Sequence, residues 1–213
     1  MKKMMLVLGL LAAGTLVFAQ VDLPEHRFVS GNWAVSGDRL YQNDANARLA
    51  KVNIRAPQEG AMIYEFTARF EGMAGDGFGG FGLHIFVDAP YNDVSWGAGS
   101  SYLLWLNYDE NPQSNDIQPG LSAQLYRSYT NSRMVLVESF DLNDSFGGYL
   151  TEENLAKPVN FRIIANGNTG EVQIDDPVRE EANFILNLDK KDLPLKGDWV
   201  VLRTSGMKLS FSN

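Results

Sequence analysis

Hydrophobic and polar residues alternate with a period of two along much of the chain. The clearest run is residues 61–71, where Met62, Tyr64, Phe66, Ala68 and Phe70 fall on one side and Glu65, Thr67, Arg69 and Glu71 on the other. Successive side chains of a strand point to opposite faces, so this spacing predicts a half-buried strand. Val52 and Ile54 extend the pattern upstream of a turn expected at Pro57-Gln58-Glu59-Gly60, and downstream Phe81, Leu83, Ile85 and Val87 alternate with Gly82, His84, Phe86 and Asp88. Further strands are expected at 102–108, 121–128, 133–140, 158–165, 170–174, 184–188 and 207–211. Asn166-Gly167-Asn168-Thr169-Gly170 predicts a hairpin turn, because Asn and Gly tolerate positive φ. One helix is expected over 151–157, with Thr151 as its cap, two acids at its positive end and Pro158 as its stop. Many short strands separated by Gly, Pro, Asn and Asp imply an all-β fold: a two-sheet antiparallel β-sandwich with at most one short helix. The alternation lacks a consistent outward apolar belt, which argues against a small outer-membrane barrel.

The first residues break the pattern. Lys2 and Lys3 precede an apolar stretch from Met4 to Phe18, and Val17-Phe18-Ala19 puts small residues where a signal peptidase cuts. Residues 1–19 are therefore expected to be a signal peptide, 20–28 a lead-in and 29–213 a single β-sandwich domain. The apolar run falls short of the ~20 residues of a comfortable membrane span, so no membrane insertion is expected once the leader is cut. Loss of Lys2 and Lys3 moves the formal charge of −8 to roughly −10. That acidic balance argues against nucleic acid, which needs a clustered positive field. The chain has no Cys, which excludes disulfides, thiolate metal sites and a Cys nucleophile. An exported domain without disulfides suits the bacterial periplasm or a secreted bacterial protein.

Several segments together resemble the concanavalin A-like, laminin-G-type jelly-roll superfamily. Ser30-Gly31-Asn32-Trp33-Ala34-Val35-Ser36-Gly37-Asp38-Arg39-Leu40 is similar to the opening strand of such domains. Residues 78–88, rich in Gly, resemble their central strand, 161–172 a late hairpin, and 199–211 the last strand, which lies beside the first. The resemblance implies two stacked antiparallel sheets, often with a sugar-binding concave face.

Catalytic chemistry is thin. Glycosidases on this fold carry three carboxyls on one strand face, two of them acting as nucleophile or base and as acid. The nearest approach is Glu171-Val172-Gln173-Ile174-Asp175, whose middle position is Gln. The two His, His26 and His84, stand in no His-x-x-x-His pair, and no Gly-x-Ser-x-Gly elbow surrounds a Ser. Binding chemistry is richer. Residues 88–100 form a long, polar, Gly-rich segment that holds Tyr91 and Trp96. A pyranose offers an apolar face to such rings, and Asp88 and Asp93 suit its hydroxyls. His84 and Trp105, on strands, are candidates to line the same groove. Trp33 and Trp199 read as core. Asp88 with Asp93, or Asp141 with Asn143 and Asp144, offers oxygen ligands that leave calcium open, although turn-forming side chains are the plainer reading and no cofactor is otherwise implied. The expected function is an exported noncatalytic binding module for carbohydrate or cell-envelope glycan, acting through the aromatic loop and the concave sheet. The alternative is a structural or assembly protein of the periplasm or a surface appendage, with an envelope protein as partner. A glycoside hydrolase using Glu171 and Asp175 is the weaker third reading.

Overall fold

The computed structural model describes residues 25–179 and 183–212, so the leader read at 1–19 lies outside the described residues. The strands run in chain order as β1 (His26–Ser30), β2 (Trp33–Ser36), β3 (Arg39–Gln42), β4 (Ala50–Glu59), β5 (Ala61–Met73), β6 (Phe78–Val87) and β7 (Ser101–Asp109). They continue as β8 (Gly120–Ser128), β9 (Met134–Asp141), β10 (Val159–Asn166), β11 (Glu171–Asp175), β12 (Asn183–Asn187), β13 (Lys196–Ser205) and β14 (Met207–Ser212). Two single-turn helices, α1 (Asn143–Phe146) and α2 (Glu152–Leu155), interrupt the series between β9 and β10. α2 lies within the segment where a helix was expected.

All observed strand pairs are antiparallel, and they make two sheets. The front sheet has the order β1-β4-β13-β6-β7-β8-β9 and the back sheet β12-β11-β10-β5-β14-β3-β2. Each sheet keeps two edges, so the architecture is a sandwich and not a closed barrel. Met62, Tyr64, Phe66, Ala68 and Phe70 of β5 meet Val52, Phe81, Leu83, Ile85 and Leu104 of the front sheet in one core, as the alternation requires.

Four local readings need correction. The turn expected at 57–60 shrinks to Gly60, which takes a φ of +70°, and β4 runs on through Pro57 to Glu59. Pro57 is tolerated because the register between β4 and β13 shifts there. The alternation of β6 breaks at Phe86, whose φ is +54°. Phe86 turns into the core, and Val87 goes to the outer face, against Val201, Ala98 and Trp199. Residues 199–211 form two strands in different sheets, with Gly206 (φ +67°) as the hinge. Trp33 is core, while Trp199 sits half-buried on the outer face of the front sheet.

The core is not evenly filled. Between the sheets, at the end where α1 and α2 lie, there is an apolar cavity of about 480 Å³.

Candidate functional site

Strand register builds the site on the outer face of the front sheet. One row of paired residues runs Lys51, Arg203, Gly82, Trp105, Gln124 and Ser139 across β4, β13, β6, β7, β8 and β9. The next row runs Asn53, Val201, His84, Leu103, Tyr126 and Leu136 across the same strands. Both rows face away from the core. Alternation alone would leave their polar members wet, yet Lys51, Asn53, His84, Gln124 and Arg203 are all buried.

Part of the cover is the 88–100 loop, which folds back over the sheet. Lys51 Nζ donates to the Ser95 carbonyl (2.6 Å), Ser95 Oγ (3.0 Å) and the Gly97 carbonyl (2.7 Å). Asn53 Nδ2 donates to the Tyr91 carbonyl (3.1 Å), and Arg203 Nη1 to the Trp96 carbonyl (2.8 Å). From the other side, the amides of Gly97 and Gly99 donate to Asn131 O and Oδ1, both at 2.8 Å. Asp88 Oδ1 closes the base of the loop by accepting from the amides of Ala89 (2.7 Å) and Ser100 (2.9 Å). A long Gly-rich loop would ordinarily be mobile. Here the side chains of two buried cations hold its backbone down.

This anchoring leaves Trp96 46 % exposed. The Arg203 guanidinium carbon lies 4.7 Å from the centre of the Trp96 ring and 5.2 Å from that of Trp105, within range of cation–π attraction to both. The Trp105 ring packs against Gly80 of β6, where a Cβ would stand 2.6 Å from it, and a Cβ on Gly82 would stand only 1.9 Å from the Leu104 carbonyl oxygen. Trp105 Nε1 donates to Asn107 Oδ1 (2.9 Å), Gln124 Nε2 to Ser122 Oγ (2.8 Å) and Tyr126 Oη to Gln124 Oε1 (2.7 Å). Beside Trp105, buried amides and hydroxyls bonded to one another continue toward β8, where Tyr126 is half-buried.

The electrostatics beneath the loop are one-sided. Burial brings the Lys51 amine down from 10.5 to about 7, and the neighbouring Arg203 charge adds to the effect. Burial also lowers Arg203 to about 10. His84 is held well below its ordinary 6.5, first by burial and then by the charges of Arg203 and Lys51. Its Nδ1 sits 3.1 Å from Ser101 Oγ, while its Nε2 and the Nε of Arg203 have no hydrogen-bond partner among the described residues. Among the described residues neither Lys51 nor Arg203 forms an ion pair with a carboxylate.

The residues singled out from sequence divide accordingly. Trp96 and Trp105 meet through Arg203. Tyr91 is 49 % exposed on the same loop. Asp88 and Asp93 accept from loop amides, Asp93 from that of Val94 at 2.7 Å, and His84 is sealed beneath the loop. Lys51, Arg203, Gln124 and Tyr126 were not singled out, because polar residues on an alternating strand look like a solvated face. No group of three His, Cys, Asp or Glu side chains converges to hold a metal ion among the described residues. Asp141 Oδ1 instead accepts from the amide and Nδ2 of Asn143, both at 2.8 Å, which is turn-forming chemistry. Glu171, Gln173 and Asp175 lie on the back sheet. There Gln173 and Arg162 bond Asp175, at 2.9 and 3.1 Å, and hold its carboxyl below the usual carboxylate range, opposite to what a general acid needs.

No protein-family model matches the sequence, and a search among curated proteins returns no match. Solved structures do match. The carbohydrate binding module CBM66 from Bacillus subtilis aligns with a TM-score of 0.56 at 12 % identity, over 90 % of this chain and 94 % of its own. The lumenal domain of VIP36 in its Ca²⁺/Man-bound form aligns at 0.53 with 10 % identity, over 89 % and 83 %. The CBM2 module of an evolved Dit protein from Lactobacillus casei BL23 phage J-1 aligns at 0.51 with 12 % identity, over 91 % and 86 %. The fold is thus a two-sheet antiparallel β-sandwich like theirs, consistent with the jelly-roll resemblance read from the sequence. Identities this low speak for the fold alone.

Proposed function

We propose that this chain is an exported, noncatalytic carbohydrate-binding module that seats a glycan against Trp96. The observation that carries the reading is a nearly half-exposed indole on a loop fixed in advance by buried Lys51 and Arg203. A sugar ring stacked on an already ordered aromatic loses little further conformational freedom. Arg203 covers one face of that indole, leaving the other to the ligand, and the half-buried Tyr126 on the same sheet face offers a hydroxyl partner. The fold shared with carbohydrate-binding modules agrees with this reading. The leader expected at residues 1–19 supports a periplasmic or secreted chain, for which envelope glycans are the available partners.

The test is calorimetric titration of wild type and Trp96→Ala with peptidoglycan fragments and common polysaccharides. Saturable binding by wild type, weakened at least tenfold in Trp96→Ala at unchanged thermal stability, is the expected result. Absence of saturable binding by wild type to any of them overturns the reading. A second reading, assembly through a sheet edge, draws on β9, an edge strand whose Val135 and Val137 are 45 % and 47 % exposed. Chromatography with light scattering separates it, since edge pairing gives a concentration-dependent increase in mass.

A further inference from the structure

The apolar cavity takes no part in the glycan site. It lies at the end of the sandwich where β5, β7, β9 and β11 finish and β6, β8, β10, β12 and β14 begin, whereas the 88–100 loop leaves from the opposite end. Phe81, Leu104 and Leu121 line it from the front sheet, and Phe161, Ile163 and Leu186 from the back. Polar residues on the lining segregate. Asn107 and Gln124 turn their amides to the outer face, where they bond Trp105 and Ser122. Glu110 and Lys157 are exposed, and so mark where the cavity reaches solvent. The walls between are hydrocarbon, a poor host for ordered water. At about 480 Å³, the chamber is roughly three times the ~150 Å³ of a cavity that admits benzene.

Its cover is weak. Phe146, Leu150 and Leu155 close it from α1, α2 and the segment between them. Each helix is one turn long, and α1 has no side-chain cap. Helices this short have little stability of their own, so the cover can open without disturbing either sheet.

We propose that this cavity binds one linear acyl chain, with the hydrocarbon tail between the sheets and an anionic head beside Lys157. Lys157 pairs at present with Glu153 at 2.9 Å, both side chains being largely exposed. A surface pair of that kind contributes little, so a ligand carboxylate exchanges for it readily.

The experiment titrates delipidated mature protein, residues 20–213, with palmitate while following methyl NMR signals. Saturable uptake of one palmitate per chain is expected, with shifts at Leu104, Leu121, Leu155 and Ile163 and none at Val201. Ala123→Phe, which fills the cavity, should weaken binding at least tenfold. If that variant fails to fold, the wild-type methyl shifts decide alone. A parallel arm with phosphatidylglycerol vesicles identifies the source: co-sedimentation assigns the chain to a membrane lipid, and palmitate uptake without it to a free fatty acid. No saturable uptake in either arm, or shifts confined to the outer faces, overturns the proposal. Trp96→Ala should bind palmitate as wild type does, so the two sites fail or stand separately.

Discussion

Two charge clusters on the outer faces differ in their surroundings: the one around Arg162 and Arg69 on the back sheet stands largely in water, whereas the one around Lys51 and Arg203 on the front sheet is buried. On the back sheet Arg162 bridges Glu65 and Asp175, and Arg69 pairs with Glu71, all in partly or largely exposed pairs. On the front sheet Lys51 and Arg203 are 2 % and 3 % exposed, carry no carboxylate partner among the described residues, and donate to carbonyls of the 88–100 loop. Both faces come from the same alternating pattern. A polar residue opposite an apolar one states only that it leaves the core. Whether it then meets water or another piece of chain is decided by what the connecting loop does. Burying a cation without a counter-charge is costly, and a fold that keeps two of them uses them to hold something in place. Here that is the backbone under Trp96.

The sharpest way to break this contrast is at the floor of the front face. Gly82→Ala puts a Cβ 1.9 Å from the Leu104 carbonyl oxygen and 2.9 Å from the Trp105 Cα. No flexible side chain can yield there, so the strands must separate. A loss of about 3 kcal/mol or more is expected, read as a lower urea midpoint.

That glycine also marks where sequence reading stopped. The two-layer fold was legible because Met62 to Phe70 and Phe81 to Ile85 alternate over long stretches, and burial of one strand face leaves few other arrangements. Trp96 and Tyr91 were legible as candidates because aromatic residues in a polar loop stand out against their surroundings. Arg203 was not, since its contacts come from Trp96, 107 residues away in the chain, and no local pattern encodes that distance. Phe86 escaped for a different reason. A bulky residue at positive φ is strained, and nothing local announces that the core will absorb it. The cavity escaped too, because alternation specifies which side chains face inward and not whether they fill the space between the sheets.

A second prediction uses the buried amine. Lys51 titrates near 7 when folded and at about 10.5 when unfolded. Below about pH 7 both states hold the proton, and the folded state bears the cost of the buried charge. Between about 7 and 10.5 only the unfolded state keeps it, so stability rises with pH across that window. His84, whose folded value is depressed below 6.5, adds a loss in the same direction as pH falls below 6.5. Melting temperature should therefore climb by several degrees from pH 6.5 to pH 9.5. Lys51→Met should abolish that climb while leaving the acid limb. A flat profile in wild type would mean that the amine stays charged in place.

The smallest effect is expected on the other face. Arg162→Ala removes two ion pairs from the back sheet, those to Glu65 and Asp175, more than any front-face substitution breaks. Yet all three side chains are more than a third exposed, so water and salt take over their solvation as the arginine leaves. Thermal unfolding should not move beyond experimental error at physiological ionic strength, and glycan binding should be unchanged. One titration should respond: the Asp175 carboxyl loses a hydrogen bond and a nearby positive charge, so its pKa rises toward the ordinary value, by less than the full shift because Gln173 Nε2 still donates to it. Carbon NMR of that carboxyl through an acid titration measures the change. A large loss of stability in this variant would mean that the back face is held by its charges after all, and the contrast between the two sheets would reduce to a difference in covering alone.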